Sequence, residues 1–468
     1  MRGKIILTSI LILVLGAILR FSNLNSLPVF ADESIYVRWS QVMAAESTLR
    51  FLPLSDGKQP LYMWLTIPAL KVISDPLIAG RLVSAICDLG SVISIGFLAF
   101  FLFKKPSAGL MAGLLWATAP YSVFFGRMAL ADSVLTFFII TGFLFAYLSI
   151  NKLRWDFAMV SGLTFGLAWL TKSPAIFVLL MLPLLTIFAP KINLKLIFLF
   201  ANMYLFAFGL YQILRLGPEF HMIAIRNRDY IWDVHEVLKH PLDPLVPHLR
   251  DSLKFFLFYL NPIILFYIFK NIFNKKILFI FWLLPIFAQG FIAKVITARY
   301  LLYTVPFAIL LASTAKPKIL LFGIALNVLL TFQMINFPTR FLMPRIERAG
   351  YMEEWTAGYG LKQISQYLEK IDSPVVVGSE GFFGTPFSAL QMYLNHKPNI
   401  RVVGVGVWID SVSDKLTNAK ADNQVFLVVN SSRLHIDYKK LPVELIAKYP
   451  KAIAPDGKQE SLYFFKVI

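Results

Sequence analysis

Two adjacent carboxylates follow the first apolar segment of the chain. Residues 4–19 read KIILTSILILVLGAIL, and the stretch PVFADESIYVRW at 28–39 then places Asp32 next to Glu33. A carboxylate can act as a general base and take the proton from a hydroxyl group. In a solvated loop, by contrast, two acids need no chemical role. The elements that position these acids decide between the two interpretations.

Several other ionisable residues lie in or beside apolar stretches rather than in polar loops. An ionisable group at membrane depth is costly and usually faces a bundle interior or an aqueous cavity. The alternative for each cation alone is that its head group snorkels to the interface. For Lys71 and Lys294, snorkelling and a cavity-facing role are equally good interpretations. Snorkelling is a weaker interpretation for Lys172 and Arg127, because apolar residues flank each of them closely. As one set they would line a cavity suited to an anionic lipid headgroup: Lys58, Arg127, Asp132, Lys172, Lys294 and Arg299.

The composition is that of a membrane protein. Of 468 residues, 57% are hydrophobic and 15% are charged, whereas a soluble domain carries about 25% charged residues. A helix needs about 20 residues to cross the hydrocarbon, and helices satisfy their own backbone there. We therefore predict a polytopic α-helical membrane protein of about eleven spans, near 4–20, 78–103, 107–124, 130–150, 157–171, 174–190, 196–214, 253–269, 277–293, 300–315 and 319–336.

Basic residues mark every second connection between the predicted spans. This pattern is typical of cytoplasmic loops, so it places the N-terminus in the cytoplasm. The connections 21–77 and 215–252, and the chain after about 337, then lie outside the cell membrane. The residues of the basic connections are Arg2, Lys4, Lys104, Lys105, Lys152, Arg154, Lys191, Lys195, Lys270, Lys275, Lys276, Lys316 and Lys318.

The sequence changes character after Asn336. Apolar stretches at 374–379, 401–407, 424–429 and 461–468 read as strands, and 354–370 and 387–394 read as helices. Strands that alternate with helices predict a small α/β domain. We therefore expect a transmembrane domain at 1–340 and an extracytoplasmic α/β domain at 341–468.

Three further features favour structural interpretations. Cys87 is the one cysteine, so no intramolecular disulfide forms. Arg81 and Asp88 lie seven residues apart on one helical face, where a structural polar pair is the favoured interpretation. The histidines of the 215–252 loop fit solvated side chains better than a metal site.

Six motifs in order carry a resemblance to a known family. Beyond the Asp32–Glu33 pair they are KQPLYMWL at 58–65, GRLVSA at 80–85, RMALADSVLTFF at 127–138, GLAWLTKSP at 166–174 and RYLLYTVPFAIL at 299–310. The segment WTAGYG at 355–360 is a weaker addition. The chain resembles the polyprenyl-phosphate-sugar glycosyltransferases of the GT-C fold. Within them it is similar to dolichyl-phosphate-mannose protein mannosyltransferases and to the aminoarabinose transferases of lipid A.

Two positions depart from the pattern of this family. Gln59 replaces the first proline of a Lys-Pro-Pro element. Gly57 stands where the lipid A branch has a glutamate implicated in metal binding, and Asp56 is one residue away. No cofactor is required by the sequence, and a divalent metal is doubtful.

The resemblance implies roles for the site residues. Asp32 would be the base, and Glu33 would orient the acceptor or the first loop. Lys58 and Arg299 would hold the donor phosphate, with Arg127 and Lys172 as second choices. Asp132 would bind a sugar hydroxyl or anchor a cation, and Tyr300 would contact the substrate.

The function implied is transfer of a sugar from a dolichyl- or undecaprenyl-phosphate donor to an acceptor hydroxyl, with inversion at the anomeric carbon. The expected acceptor is a protein, a lipid or a polysaccharide. Membrane lipids are expected to surround the chain, and no nucleic acid is expected as a partner. Two other classes stay open. A flippase or transporter predicts charges near mid-membrane and broken helices in two repeated halves, and a lipid-binding protein without catalysis would use the same cations.

Overall fold

The computed structural model describes residues 2–271, 276–315 and 317–468. Of the basic residues used to predict the orientation, Lys275 and Lys316 lie outside the described residues. The chain divides into two compact units. Unit 1 comprises Met1–Leu24, Ser47–Leu65 and Arg81–Pro344, and unit 2 comprises Asn25–Glu46, Thr66–Gly80 and Arg345–Ile468.

Helices dominate the chain before residue 345, as the apolar composition predicts. Those assigned as α-helix there are α1 (Arg2–Phe21), α2 (Ala31–Ala45), α3 (Leu61–Val72), α4 (Pro76–Phe103), α5 (Pro106–Thr118), α6 (Pro120–Gly126), α7 (Ala131–Lys152), α8 (Trp155–Thr171), α9 (Ala175–Met181), α10 (Leu194–Tyr211), α11 (Met222–Tyr230), α12 (Val234–Lys239), α13 (Leu242–Leu260), α14 (Pro262–Lys270), α15 (Lys276–Ile292), α16 (Ala298–Leu301), α17 (Val305–Ala312) and α18 (Pro317–Asn336).

Four helices in the described part of the chain are long and apolar enough to cross a membrane: Arg2–Phe21, Pro76–Phe103, Ala131–Lys152 and Leu194–Leu216. Two bent pairs raise this number to six, α5 with α6 at 56° and α13 with α14 at 113°. The first pair bends at Pro120, which has no backbone N–H for the helix. The polytopic helical fold is confirmed, and the number of eleven spans stays a prediction, because the other apolar helices are shorter.

Arg81 and Asp88 have structural contacts with neighbouring segments of unit 1, as the favoured interpretation expects, but each has its own partners. Asp88 accepts a hydrogen bond of 2.6 Å from Arg20 Nε, and both side chains are fully buried. Arg81 instead donates to the backbone oxygen of Leu24 at 2.5 Å. Trp116 Nε1 adds a 3.1 Å bond to Asp88. Arg81 and Asp88 therefore each hold a different neighbouring segment.

A five-stranded sheet forms the core of the chain after residue 345. Its strands are β3 (Val375–Glu380), β4 (Ile400–Gly406), β5 (Gln424–Asn430), β6 (Val443–Pro450) and β7 (Ser461–Val467). Their order is β4-β3-β5-β7-β6, with β3 parallel to β4 and β5, and β7 antiparallel to β5 and β6. The helices of this part of the chain are α19 (Arg345–Arg348), α20 (Leu361–Leu368), α21 (Phe387–Tyr393) and α22 (Asp414–Ala419). This confirms a C-terminal α/β arrangement.

The predicted helix at 354–370 begins later than the sequence indicates. Gly360 has φ 81°, and α20 starts only after it. The residues before it form a two-residue strand, β2 (Ala357–Gly358), which pairs antiparallel with β1 (Val29–Phe30). This ribbon links the start of the first predicted outer loop to the C-terminal segment within unit 2. Strand β6 is an element that the sequence patterns did not indicate.

Candidate active site

Asp32 and Glu33 lie in the first turn of α2, directly after β1. Carboxylates are favoured there because the helix dipole is positive at its N-terminus. Glu33 is fully buried, and its Oε2 accepts the N–H of Phe30 at 2.9 Å. This contact supports the predicted role of Glu33 in orienting the first loop. Asp32 is half-buried beside it.

The WTAGYG segment fixes the backbone that carries Asp32. The N–H of Ala31 donates to the backbone oxygen of Thr356 at 3.0 Å. In the ribbon, Val29 pairs with Gly358 and Phe30 with Ala357. Asp32 is therefore positioned by the C-terminal part of unit 2 rather than lying in a free loop.

Lys172 and Asp132 form an ion pair in unit 1. Lys172 follows α8, and Asp132 lies in the first turn of α7. The Lys172 Nζ donates to Asp132 Oδ1 at 2.6 Å, with side chains 20% and 3% exposed respectively. Asp132 thus anchors a cation, which is one of its two predicted roles.

Tyr300 joins two predicted cations. Its ring centroid lies 4.5 Å from Lys172 Nζ and 5.2 Å from Arg299 Cζ. The hydroxyl of Tyr121 donates to the oxygen of Ala298 at 2.7 Å and so holds the start of α16. Four predicted residues therefore meet at one place, namely Asp132, Lys172, Arg299 and Tyr300.

Lys58 belongs to a second group of contacts in unit 1. Its Nζ donates to Tyr230 Oη at 2.9 Å and lies 3.3 Å from Asp56 Oδ2. Arg226 Nη2 donates to the other Asp56 oxygen at 2.6 Å, and this hydrogen bond raises the pKa of Arg226 above its usual value. Arg226 and Tyr230 were not predicted, because they follow Asp56 by about 170 residues in a polar loop and carry no local motif.

Gln59 brings these two groups to the same end of unit 1. Its Nε2 donates to Ser173 Oγ at 2.6 Å, so the residues after Lys58 and after Lys172 are in contact. Lys294 also lies near Tyr230, because its backbone N–H donates to the backbone oxygen of Tyr230 at 2.8 Å. The Lys294 Nζ donates to the oxygen of Arg228 at 2.6 Å. The glutamine that departs from the family pattern thus makes a contact that proline cannot make.

Arg127 makes a different set of contacts. Its Nη1 donates to the backbone oxygens of Leu19, Arg20 and Ser22, at 3.1, 3.1 and 2.6 Å, and its Nη2 to that of Asn23 at 2.7 Å. These bonds satisfy carbonyls at the end of α1, where a helix leaves them unpaired. They favour a structural role, and donor binding by Arg127 stays a prediction.

The described residues include no group of three or more His, Cys, Asp or Glu side chains placed to hold a metal ion. Asp56, the acid closest to the family's metal position, is engaged by Arg226 and Lys58. Of the loop histidines, His248 contacts the oxygen of Gly290 at 3.0 Å, while His221, His235 and His240 are exposed.

One family model matches part of the chain. A family model described as dolichyl-phosphate-mannose-protein mannosyltransferase matches residues 57–211, the segment that carries Lys58, Arg127, Asp132 and Lys172. The predicted resemblance to this family is therefore confirmed over these residues.

The fold is shared with a solved glycosyltransferase along nearly the whole chain. ArnT from Cupriavidus metallidurans bound to undecaprenyl phosphate matches with 14% identity and a TM-score of 0.61, covering 98% of this chain and 98% of that chain. Its apo state matches with 14% identity and a TM-score of 0.60, covering 99% and 98%. No curated protein sequence matches the chain.

Proposed function

We propose that this enzyme transfers a sugar from a polyprenyl-phosphate donor to an acceptor hydroxyl at the outer face of the membrane, with inversion. The observation that carries the proposal is the meeting of Lys172, Asp132, Tyr300 and Arg299 in unit 1. The ArnT structure with undecaprenyl phosphate supports the donor class, because that protein shares the fold.

The cations provide what a phosphate leaving group needs. The phosphate oxygen gains negative charge as its bond to the anomeric carbon breaks, and preorganised cations stabilise that charge. Lys172 and Arg299 flank one aromatic ring, so their positions are set before substrate binds. Lys58 lies with its own partners at the Gln59–Ser173 contact. We assign Lys58, Lys172 and Arg299 to the donor phosphate, and Tyr300 to its support.

Asp32 would supply the base. The acceptor oxygen attacks the anomeric carbon from the side opposite the phosphate, and the carbon–oxygen bond to phosphate breaks. Polyprenyl phosphate leaves with the electron pair, and the hydroxyl proton goes to Asp32. A single displacement inverts the anomeric configuration. The place of Asp32 at a helix start held by the β1–β2 ribbon supports this role.

The organisation of the chain follows from this proposal. Residues 1–340 would form the membrane-embedded transferase and residues 341–468 the extracytoplasmic domain, with the N-terminus in the cytoplasm of a multi-pass plasma-membrane protein. The acceptor would be a protein, a lipid or a polysaccharide. A flippase and a lipid-binding protein without catalysis are the competing functions.

The test uses the full-length protein in detergent with radiolabelled polyprenyl-phosphate sugars and an envelope extract. Asp32→Asn keeps the shape of the side chain and removes the base. Asp410→Asn is the matched control, because Asp410 is an exposed acid of the same unit. We expect label to move to an acceptor, polyprenyl phosphate to be released, and only Asp32→Asn to abolish both. The anomeric configuration of the product, read by NMR, tests inversion.

Each competing function has its own result. Transfer that survives in Asp32→Asn removes Asp32 as the base. Donor binding without turnover in the wild type indicates a binding protein. In proteoliposomes, passage of intact donor across the bilayer without release of polyprenyl phosphate indicates a flippase.

A further inference from the structure

The carboxyl ends of three parallel strands meet at one edge of the sheet in unit 2. Strand β3 lies between β4 and β5, so the chain goes to one side of β3 for β4 and then to the other side for β5. Ligands of open α/β sheets bind at such a switch point, outside the carboxyl ends of the strands. The segments that follow these strands hold Phe382 and Phe383, then Trp408, then Arg433.

The guanidinium of Arg433 lies over two indole rings at this edge. Its Cζ lies 4.5 Å from the ring centroid of Trp408 and 5.0 Å from that of Trp355. His435 stacks on Trp408 with centroids 4.5 Å apart. Among the described residues, no side chain or backbone oxygen accepts a hydrogen bond from the Arg433 guanidinium, and no carboxylate forms an ion pair with it. Its donors are therefore held in place and available.

A guanidinium in this setting matches one kind of ligand. Its planar fork of N–H donors fits the two oxygens of a carboxylate or phosphate. Contact with two aromatic rings restricts the motion of the guanidinium, so less side-chain entropy is lost when an anion binds. A purely structural clamp would be expected to bury the guanidinium, whereas Arg433 stays partly exposed.

Glu380 is a buried acid that interacts electrostatically with Arg433 but makes its hydrogen bonds with Asn430. Glu380 accepts hydrogen bonds of 2.6 Å from both the N–H and the Nδ2 of Asn430. Burial raises the pKa of Glu380 to about 7, which reduces the negative charge that would oppose an incoming anion. Lys451 is also buried, and its Nζ donates to the backbone oxygen of Glu354 at 2.9 Å.

Exposed aromatic side chains follow β3 and β4 at the same edge of the sheet as Arg433. Trp408, Phe382 and Phe383 are 52%, 58% and 47% exposed. Exposed apolar patches of this kind usually mark interaction sites. The patch would contact a ring or an apolar body beside the anionic group of the ligand.

This site adjoins the residue that starts the Asp32 helix. Trp355 precedes Thr356, whose oxygen accepts the N–H of Ala31. The Thr385 hydroxyl donates to the Trp355 oxygen at 2.9 Å, and a Cβ placed on Gly384 would lie 3.4 Å from that of Ala31. Trp355, which contacts Arg433, is therefore next in the chain to the residue that holds the start of the Asp32 helix.

We propose that Arg433, clamped by Trp355 and Trp408, binds an oxyanion of the acceptor, so that the acceptor carries a phosphate or carboxylate beside a ring or apolar portion. The acceptor role rests on the proposed function, whereas the anion site itself does not.

The anion site is tested in the full-length protein labelled with 5-fluorotryptophan. The ¹⁹F resonances of Trp355 and Trp408 are assigned with Trp355→Phe and Trp408→Phe. Inorganic phosphate and acetate are then titrated separately, with chloride holding ionic strength constant. We expect a saturable shift of both resonances with at least one anion. The shift should be lost in Arg433→Gln and kept in Arg401→Gln, which removes an exposed arginine of the same sheet.

The outcomes separate the sources of the oxyanion and guard against misfolding. A shift with phosphate alone points to a phosphorylated acceptor, and a shift with acetate alone to a carboxylated one. The remaining tryptophan resonances report folding, and Arg433→Lys, which keeps the charge but not the fork, should bind at least severalfold more weakly. No saturable shift in the wild type, or an equal shift in Arg433→Gln, overturns the site.

The acceptor role is tested by the kinetics of transfer. Arg433→Gln should raise KM for the acceptor and leave KM for the donor unchanged, because Arg433 would contact only the acceptor. An unchanged acceptor KM together with a lost ¹⁹F shift overturns the acceptor role and leaves the anion site standing. A wild-type protein that shows the shift but no transfer overturns the proposed function instead.

Discussion

Lys172 has the environment of a residue that receives a phosphate. It is shared between the carboxylate of Asp132 and the face of Tyr300, and both contacts hold its charge where a donor would arrive. Lys172→Gln should lower kcat/KM by about 100- to 1,000-fold, the usual cost of losing one preorganised donor. The measurement is single-turnover transfer with labelled donor.

The ring of Tyr300 provides a finer test of the same contact. Tyr300→Phe keeps the aromatic face and should retain most of the activity, whereas Tyr300→Leu should not. Lys254→Gln is the control, because Lys254 is an exposed lysine paired with Asp251 in unit 1. Equal activities of the Phe and Leu variants would show that the ring does not support the cation.

Glu380 makes the stability of the C-terminal sheet depend on pH. Burial raises the pKa of Glu380 from 4.5 to about 7, so the folded state binds its proton more tightly than the unfolded state. The contribution to the free energy of unfolding is then largest below pH 4.5 and falls as pH rises to 7. This change amounts to about 3 kcal/mol at most.

Lys451 acts in a higher pH range. Burial lowers the pKa of Lys451 from 10.5 to about 8, so its unfavourable contribution to the free energy of unfolding is relieved between pH 8 and 10.5.

Hydrogen exchange measures the pH dependence that Glu380 causes. We expect hydrogen exchange of β3 and β5 to accelerate from pH 5 to 7 after correction for intrinsic rates. Glu380→Gln should flatten that dependence, and Glu444→Gln on the exposed edge strand should not. A slope unchanged in Glu380→Gln would exclude Glu380 as its source.

At the scale of elements, the β1–β2 ribbon should control where Asp32 lies. A Cβ added to Gly358 would stand 2.5 Å from Val29 Cγ1 and 2.8 Å from the Val29 oxygen. Gly358→Ala must therefore displace β1 and the start of α2, and we expect kcat to fall at least tenfold with KM for the donor little changed. Steady-state kinetics measure both.

A neighbouring glycine supplies the control for this prediction. A Cβ on Gly350 would meet only Thr356 Oγ1, at 3.9 Å, so Gly350→Ala should be close to wild type in kcat. If Gly358→Ala also retains full kcat, the ribbon does not position the base.

These two elements also show where sequence patterns lose resolution. The apolar runs predict the long helices, since burial in lipid sets their length and composition. A two-residue ribbon has no periodicity to detect, and its partners 29–30 and 357–358 are more than 300 residues apart. The predicted helix at 354–370 wrongly includes β2. The left-handed backbone of Gly360 separates β2 from α20, and the sequence pattern does not show which conformation a glycine adopts.

At the scale of the whole molecule, the motifs indicate candidate site residues in unit 1 but not the partners of each. Lys172, Asp132, Arg299 and Tyr300 lie together, whereas Lys58 contacts Tyr230 and Asp56. Arg127 binds the end of α1, and Arg20, which the sequence marks only as the end of an apolar run, pairs with Asp88. Several of the predicted spans end on one side of the membrane, so the sequence identifies charges near that side without fixing which carbonyl or carboxylate each one reaches.

The orientation of the molecule in the membrane is the remaining prediction. Short connections rich in lysine and arginine are retained on the cytoplasmic side, and Lys105 lies in such a connection between α4 and α5. Asp422 is exposed before β5 in the C-terminal sheet. In a Cys87→Ser background, which removes the one native cysteine, Asp422→Cys should react with a membrane-impermeant maleimide in intact spheroplasts, and Lys105→Cys only after lysis. The reverse pattern would place the C-terminal sheet in the cytoplasm, on the side of the membrane opposite to the proposed acceptor.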